Sequence, residues 1–107
     1  MIRSLLFIAL VSACASDPSS GIAASEVTCP PDSTLTYASF GQVFISDNCL
    51  SCHTSKERPT LTTQAAVETN ASAIITAAVT SVRMPASGSL SIDERRLLGE
   101  WLACGAP

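Results

Sequence analysis

The sequence contains the stretch "NCLSCHT", Asn48 to Thr54. It holds two cysteines separated by two residues, and the second cysteine is followed directly by the only histidine of the chain. Thiol and imidazole groups are the common nucleophiles and metal ligands of proteins, and this spacing gathers three of them on one turn of chain. The cluster is therefore the first candidate for a functional site.

Cys49, Cys52 and His53 match the C-x-x-C-H pattern that attaches c-type haem. The chemistry requires this spacing because two thiols must reach the two vinyl groups of one porphyrin while the adjacent imidazole coordinates the iron. We therefore expect one covalently attached haem c. Two alternatives stay open: a zinc site on the same residues, which wants a fourth ligand, and a thioredoxin-like redox pair, which needs a βαβ context missing from this sequence.

The front of the 107-residue chain is typical of an exported protein. The apolar run from Leu5 to Val11 is shorter than the ~20 residues of a membrane-spanning helix, and we interpret residues 1–13 as a signal peptide. The stretch "LVSAC" resembles the lipobox of bacterial lipoproteins, so Cys14 is the predicted lipidation site. Ordinary signal cleavage nearby is the alternative.

The remaining chain divides into a short linker and one domain. Residues 14–28 are rich in Ser, Ala and Pro and are expected to form the lipidated N-terminus and a flexible tether. Residues 29–107 are expected to form a single domain in the cell envelope or periplasm, anchored to a membrane by the lipid. Without Arg3, five basic residues remain against nine acidic ones, a net charge of −4 that argues against nucleic-acid binding.

Hydrophobic periodicity predicts an all-α domain, with no alternating strand pattern. A first helix is expected from the cap residues at 32–34 through Asn48, and Gly41 within it indicates close approach by another helix. The Ala-rich residues 62–82 are expected to be helical with a break near Asn70.

The last helix has the clearest boundaries. Ser91 and Glu94 form a capping box at its start, and Gly105 with Pro107 marks its end. Its apolar stripe is expected to contain the residues Leu97, Leu98, Trp101 and Leu102.

Met84 is the candidate for the second axial ligand of the iron. His53 is the only histidine, which excludes ligation by two histidines within the chain, and Met1 leaves with the signal peptide. Met84 lies in "VRMPASGS", a loop containing Pro, Gly and Ser that could present its sulfur to the porphyrin. The alternative is a methionine that fills a gap in the core.

The ordered features of the chain resemble class I c-type cytochromes, specifically the small single-haem lipoprotein cytochromes of bacteria. The resemblance extends over residues 29–107 and rests on Gly41, the pair Phe44-Ile45, the haem motif, Pro59-Thr60-Leu61, Met84-Pro85 and the closing "LLGEWLACGAP". It implies a cytochrome c fold of about three to four helices around the haem, with the first and last helices crossing near Gly41.

The resemblance also implies roles for residues outside the motif. Pro59 would offer its carbonyl to the free N–H of His53, and Leu61 would pack on the haem. If the first and last helices cross, Cys29 and Cys104 could meet, and the oxidising compartment would favour a disulfide between them. Two free thiols are the alternative.

The function implied by this resemblance is one-electron transfer by a His/Met-ligated haem, without catalysis. The partners would be redox proteins, for which the acidic surface favours a basic docking patch, and the chain is expected to be a monomer. A haem-based sensor or small-ligand binder with an open or displaceable sixth position is the first alternative. A metal-binding lipoprotein without haem is the second.

Overall fold

The computed structural model describes residues 21–86 and 90–107. Within these ranges the regular structure is helical and contains no strand, which confirms the all-α prediction. The helices are α1 (Gln42–Asn48), α2 (Gln64–Thr69), α3 (Ala71–Ile74) and α4 (Ile92–Ala103). The π-helical segments Tyr37–Gly41 and Ile75–Val79 extend α1 and α3, and a 3₁₀ turn covers Ala24–Glu26.

The first helical region begins later than the cap residues at 32–34 suggested. Thr36 has extended backbone, and its side chain accepts a hydrogen bond from the N–H of Ser39, whose hydroxyl accepts in turn from the Thr36 N–H. Ser33 does not cap this helix because its hydroxyl donates to the carboxylate of Glu100 at 2.9 Å. The long-range hydrogen bond to Glu100 thus prevents Ser33 from acting as the helix cap that the local sequence pattern favoured.

The break predicted near Asn70 lies between α2 and α3. Asn70 has φ −102° and ψ 10°, outside the helical range, and its side-chain amide donates to the carbonyl of Ala66 at 2.7 Å. The short polar side chain therefore satisfies a carbonyl at the end of α2 while the chain turns into α3.

The fourth helix agrees with the sequence prediction at both ends. Ser91 and Glu94 form the reciprocal capping box, and the chain leaves the helix through Gly105 at φ 90°, a backbone conformation that favours glycine. The apolar stripe is narrower than predicted, because Leu97 is 43% exposed. The core-facing members are Leu98, Trp101 and Leu102.

The close approach expected at Gly41 is made by Trp101. A Cβ atom on Gly41 would lie 2.1 Å from Cζ2 of the Trp101 ring, far inside van der Waals contact. Phe40 packs edge-on against the same ring, with centroids 5.9 Å apart. The first helical region and α4 therefore pack together through the Trp101 ring, which lies directly against Gly41.

Residues 21–28, which the sequence analysis placed in a tether, pack in part against the folded domain. Ile22 is buried in the core, and its N–H donates to the carbonyl of Val79 at 2.7 Å. Gly21 adopts φ 70° against the same turn, where a Cβ would lie 2.5 Å from the Val79 carbonyl oxygen. This segment packs on the domain because burial of the apolar Ile22 side chain is favourable. The folded part of the molecule thus includes this segment.

A disulfide joins Cys29 to Cys104, the pair suggested by the resemblance. It ties the start of the chain's helical part to the end of α4, where the Tyr37 N–H also donates to the carbonyl of Pro107. The predicted signal peptide, 1–13, and the predicted lipidation site, Cys14, lie outside the described residues. Among the residues that the structure describes, no helix combines the length and apolarity needed to cross a membrane.

Candidate functional site

The cysteine–histidine motif forms the turn that follows α1. The Cys49 N–H donates to the carbonyl of Ile45 at 2.9 Å, and the His53 N–H donates to the carbonyl of Cys49 at 3.0 Å. Both bonds span four residues, so the motif continues as a helical turn after α1 ends. Residues three and four apart on such a turn lie on the same side, so Cys49, Cys52 and His53 share one side of the turn.

The imidazole of His53 is oriented by a backbone carbonyl. Its Nδ1 lies 2.8 Å from the carbonyl oxygen of Pro59. A carbonyl oxygen only accepts hydrogen bonds, so Nδ1 must carry the proton, and Nε2 keeps its lone pair for a metal ion. The Leu61 N–H donates to the carbonyl of His53 at 2.8 Å, a second hydrogen bond that closes the loop from His53 to Leu61.

Every residue that the sequence analysis assigned to a haem site lines one apolar cleft of about 420 Å³. Cys49, Cys52 and His53 contribute one part of its lining, and the other predicted members are Pro59, Leu61 and Met84. Most of the remaining surface is hydrocarbon, from side chains that include Phe44, Ile74, Ala77, Ala78, Leu90 and Leu98. The volume and the apolar lining are those of an organic cofactor pocket with a few polar groups.

Met84 is held in this cleft by both of its backbone polar groups. Its N–H donates to the carbonyl of Ala77 at 2.9 Å, and its carbonyl accepts from Nη1 of Arg95 at 2.9 Å. The side chain is half-buried and packs against the core. Met84 and His53 therefore line the same cleft from loops that are well separated in sequence.

Arg95 is the residue near the site that sequence reasoning missed. It lies on α4 with only 3% of its surface exposed, and its Nη1 donates to the carbonyls of Ala78 and Met84. Burial lowers the pKa of the Arg95 guanidinium, the neighbouring Glu94 carboxylate opposes this shift, and an arginine nevertheless remains protonated. The available signal was its spacing: three residues before Leu98 and seven before Leu102, it falls on the inward stripe of α4.

The Cys49 thiol is unsuited to thiolate chemistry. Burial raises the pKa of the Cys49 thiol to about 11, so the sulfur stays protonated at neutral pH. Reactive cysteines of C-x-x-C redox pairs require a lowered pKa, and zinc binds the thiolate. Over residues 21–86 and 90–107, no three His, Cys, Asp or Glu side chains are arranged to hold a metal ion. The zinc and thioredoxin-like alternatives therefore gain no support from this site.

The rim of the cleft carries charged side chains. Arg58 and Arg83, both exposed, line the cleft beside the proline and methionine loops, and Glu57 lies next to them. Solvent screens exposed charges, so these residues contribute little to stability and are free to contact a bound group or a partner.

The residues present fit a covalently attached haem. Two thiols share one turn, the imidazole leaves Nε2 available, and a thioether lines the same cavity, whose apolar walls suit a porphyrin. A haem in this cleft would contact Leu61, which is 4% exposed and lines the cavity. No protein-family model, no curated protein and no solved structure matches the chain.

Proposed function

We propose that the chain is a single-haem c-type cytochrome that carries one electron at a time in the bacterial cell envelope. One observation carries this proposal: Cys49, Cys52, His53 and Met84 line a single apolar cleft of about 420 Å³. The helical architecture is compatible with a small cytochrome c fold. The proposal includes no substrate and no catalytic acid or base.

The two cysteines would supply the covalent attachment. Each thiol would add across one vinyl group of haem b, which would thereby become haem c, with its sulfur bonding to one vinyl carbon and its proton passing to the other. The addition consumes one S–H and one carbon–carbon double bond and leaves no net oxidation or reduction.

His53 and Met84 would be the two protein ligands of the haem iron. The bound haem would supply the ferrous–ferric interconversion, taking one electron from a donor protein and passing one to an acceptor. Met84 as a thioether ligand favours the ferrous state and raises the reduction potential relative to a second histidine. The Pro59 carbonyl fixes the His53 ring through Nδ1 and increases its basicity as a ligand.

The proposed location follows from the N-terminal sequence. Residues 1–13 would direct export, Cys14 would carry a lipid, and the domain would work as a monomer near a membrane surface. The acidic chain would dock on redox proteins with a basic patch. The exposed Arg58 and Arg83 at the cleft would then lie where a haem propionate or a partner's acidic side chain could approach.

The test is to express the protein with the cytochrome c maturation machinery and record oxidised and reduced spectra of wild type and Met84→Ala. We expect covalent haem in both, and a far-red sulfur–iron band that Met84→Ala loses. Ile74→Ala is the matched control, because it also shortens an apolar side chain lining the cleft but removes no ligand. This control should retain the band.

The other outcomes separate the remaining functions. Covalent haem without the far-red band in wild type, together with carbon monoxide binding to the reduced protein, would favour the sensor or ligand binder. A protein that never acquires haem would contradict both haem-based functions, and metal analysis would then decide the case of a metal-binding lipoprotein.

A further inference from the structure

The guanidinium of Arg95 is buried without an acidic partner in the part of the chain that the structure describes. The ion pair found there joins Arg96, its exposed neighbour, to Glu26 at 3.7 Å. The Nε of Arg95 is also buried and has no hydrogen-bond partner among the described residues. Burying a charge is costly unless specific interactions offset it, so the contacts that Arg95 does make are the ones to consider.

Those contacts all run from one nitrogen to the chain that leads to Met84. Nη1 donates to the carbonyl of Ala78 at 2.7 Å and to that of Met84 at 2.9 Å, and it lies 3.4 Å from the carbonyl of Ser81. Ala78 belongs to the π-helical segment Ile75–Val79, whose last carbonyls lack partners within the segment. The guanidinium therefore fastens the end of this segment to the Met84 loop.

A second hydrogen bond also holds the backbone of Met84. Its N–H donates to the carbonyl of Ala77, so both backbone polar groups of Met84 are engaged, one by the helical segment and one by Arg95. A charged donor makes stronger hydrogen bonds than a neutral one. These two hydrogen bonds hold the Met84 backbone at the wall of the cleft, which the residue lines.

We propose that Arg95 is a positioning residue for Met84, which keeps the thioether directed into the cleft and thereby keeps the sixth position of the iron closed. This inference rests on the proposed haem function. Arg95 acts through the backbone of the Met84 loop and is not itself a ligand. Its positive charge, buried beside the cleft, also disfavours the more positive ferric state and so raises the reduction potential.

The experiment compares Arg95→Met, Arg95→Lys and the control Arg96→Met in the full chain after haem attachment. Arg95→Met keeps the approximate length and removes both charge and donors, whereas Arg95→Lys keeps the charge with a different donor geometry. Arg96 neighbours Arg95 on the same helix and is half-exposed, so its replacement removes a charge without touching the Met84 loop. Far-ultraviolet circular dichroism checks that each variant is folded.

We expect Arg95→Met to keep covalent haem, to lose most of the far-red band, to bind carbon monoxide when reduced, and to have a lower midpoint potential. Arg95→Lys should retain the band while its ferric form binds imidazole, which displaces Met84, about tenfold more tightly, as expected when charge-assisted hydrogen bonds weaken. Arg96→Met should behave as wild type.

A folded Arg95→Met protein whose band and carbon monoxide response match wild type would overturn the inference. If Arg95→Met does not fold, Arg95→Lys decides: imidazole affinity within about twofold of wild type would overturn it. Hydrogen exchange of the Met84 amide in haem-free chains adds a readout independent of haem, and Arg95→Lys should accelerate it relative to Arg96→Met. Wild type that lacks haem would contradict the proposed function alone, while unchanged amide exchange would contradict the positioning role.

Discussion

The Cys49 thiol differs from an ordinary cysteine because its burial raises the pKa to about 11 from the usual value of 9.0. In haem-free protein, we expect iodoacetamide to modify Cys49 slowly at pH 8, with a rate that rises until about pH 11, since the thiolate is the nucleophile. The folded state holds this proton to higher pH than the unfolded state does. The free energy of unfolding should therefore fall as pH rises from about 9 to about 11.

The measurement is site-resolved mass spectrometry after timed alkylation, with the disulfide left intact. The control is the same chain unfolded in urea, in which Cys49 should react with the pH dependence of an ordinary thiol. Identical pH midpoints in folded and unfolded chains would show that burial does not protect the Cys49 proton.

Single residues differ in how far their roles can be predicted from sequence. Cys49, Cys52 and His53 are recognisable because their chemistry depends on a spacing of a few residues, which local chain geometry preserves. The role of Arg95 is not recognisable from the sequence, because charged residues are mostly exposed to solvent. Only the tertiary packing of α4 against the Met84 loop provides the carbonyls that Arg95 binds. Ile22 was missed for the same reason, since its partner is the distant Val79.

At the scale of elements, the crossing of the first helical region and α4 depends on the missing side chain of Gly41. Gly41→Ala should destabilise the folded protein by roughly 1–3 kcal/mol, because the new methyl group overlaps the Trp101 ring and the helices must separate. Guanidinium chloride unfolding measures the change. Ser46→Ala, on an exposed position of α1, is the control and should change stability by no more than about 0.5 kcal/mol.

A second substitution tests the cause of this destabilisation. Trp101→Phe in the Gly41→Ala background reduces the overlap and should recover part of the lost stability, giving a favourable coupling in a double-mutant cycle. Additive effects of the two substitutions would contradict a direct clash between the alanine and the indole.

Elements were predictable where local signals act alone. Asn70 and the Ser91–Glu94 box end and begin helices through hydrogen bonds to residues within four positions, so their effect survives in any fold. The start of the first helical region was not predictable, because the Ser33 hydroxyl donates a hydrogen bond to the distant Glu100 and Thr36 is the cap instead. The cleft itself depends on the packing of separate loops and could be expected only through the resemblance to cytochromes.

At the scale of the whole molecule, the Cys29–Cys104 disulfide encloses nearly the entire domain, with a sequence separation of 75. In the chain-entropy account, closing a loop of this size stabilises by roughly 4 kcal/mol. We expect the double variant Cys29→Ser, Cys104→Ser to lose about this free energy of unfolding while the proposed haem and its spectrum are retained. Denaturant unfolding at pH 7 provides the measurement.

A reductant supplies the matched control, because it cleaves a disulfide but not the thioether bonds of haem. Reduced wild type should lose the same stability, and the reductant should leave the double variant unchanged. A loss below about 1 kcal/mol would mean that noncovalent contacts, such as the hydrogen bond from the Ser33 hydroxyl to the Glu100 carboxylate at 2.9 Å, already hold the two ends together.

The packing of Ile22 changes how the domain would be presented at a membrane. If Cys14 carries a lipid and residues 15–20 form the tether predicted from the sequence, packing of residues 21–28 would shorten that tether, and its random-coil reach would fall from roughly 20 Å to about 14 Å. The effective concentration of the domain near its anchor then rises roughly threefold. In the proposed electron carrier, such confinement would favour electron exchange with proteins embedded in the same bilayer over exchange with freely diffusing ones.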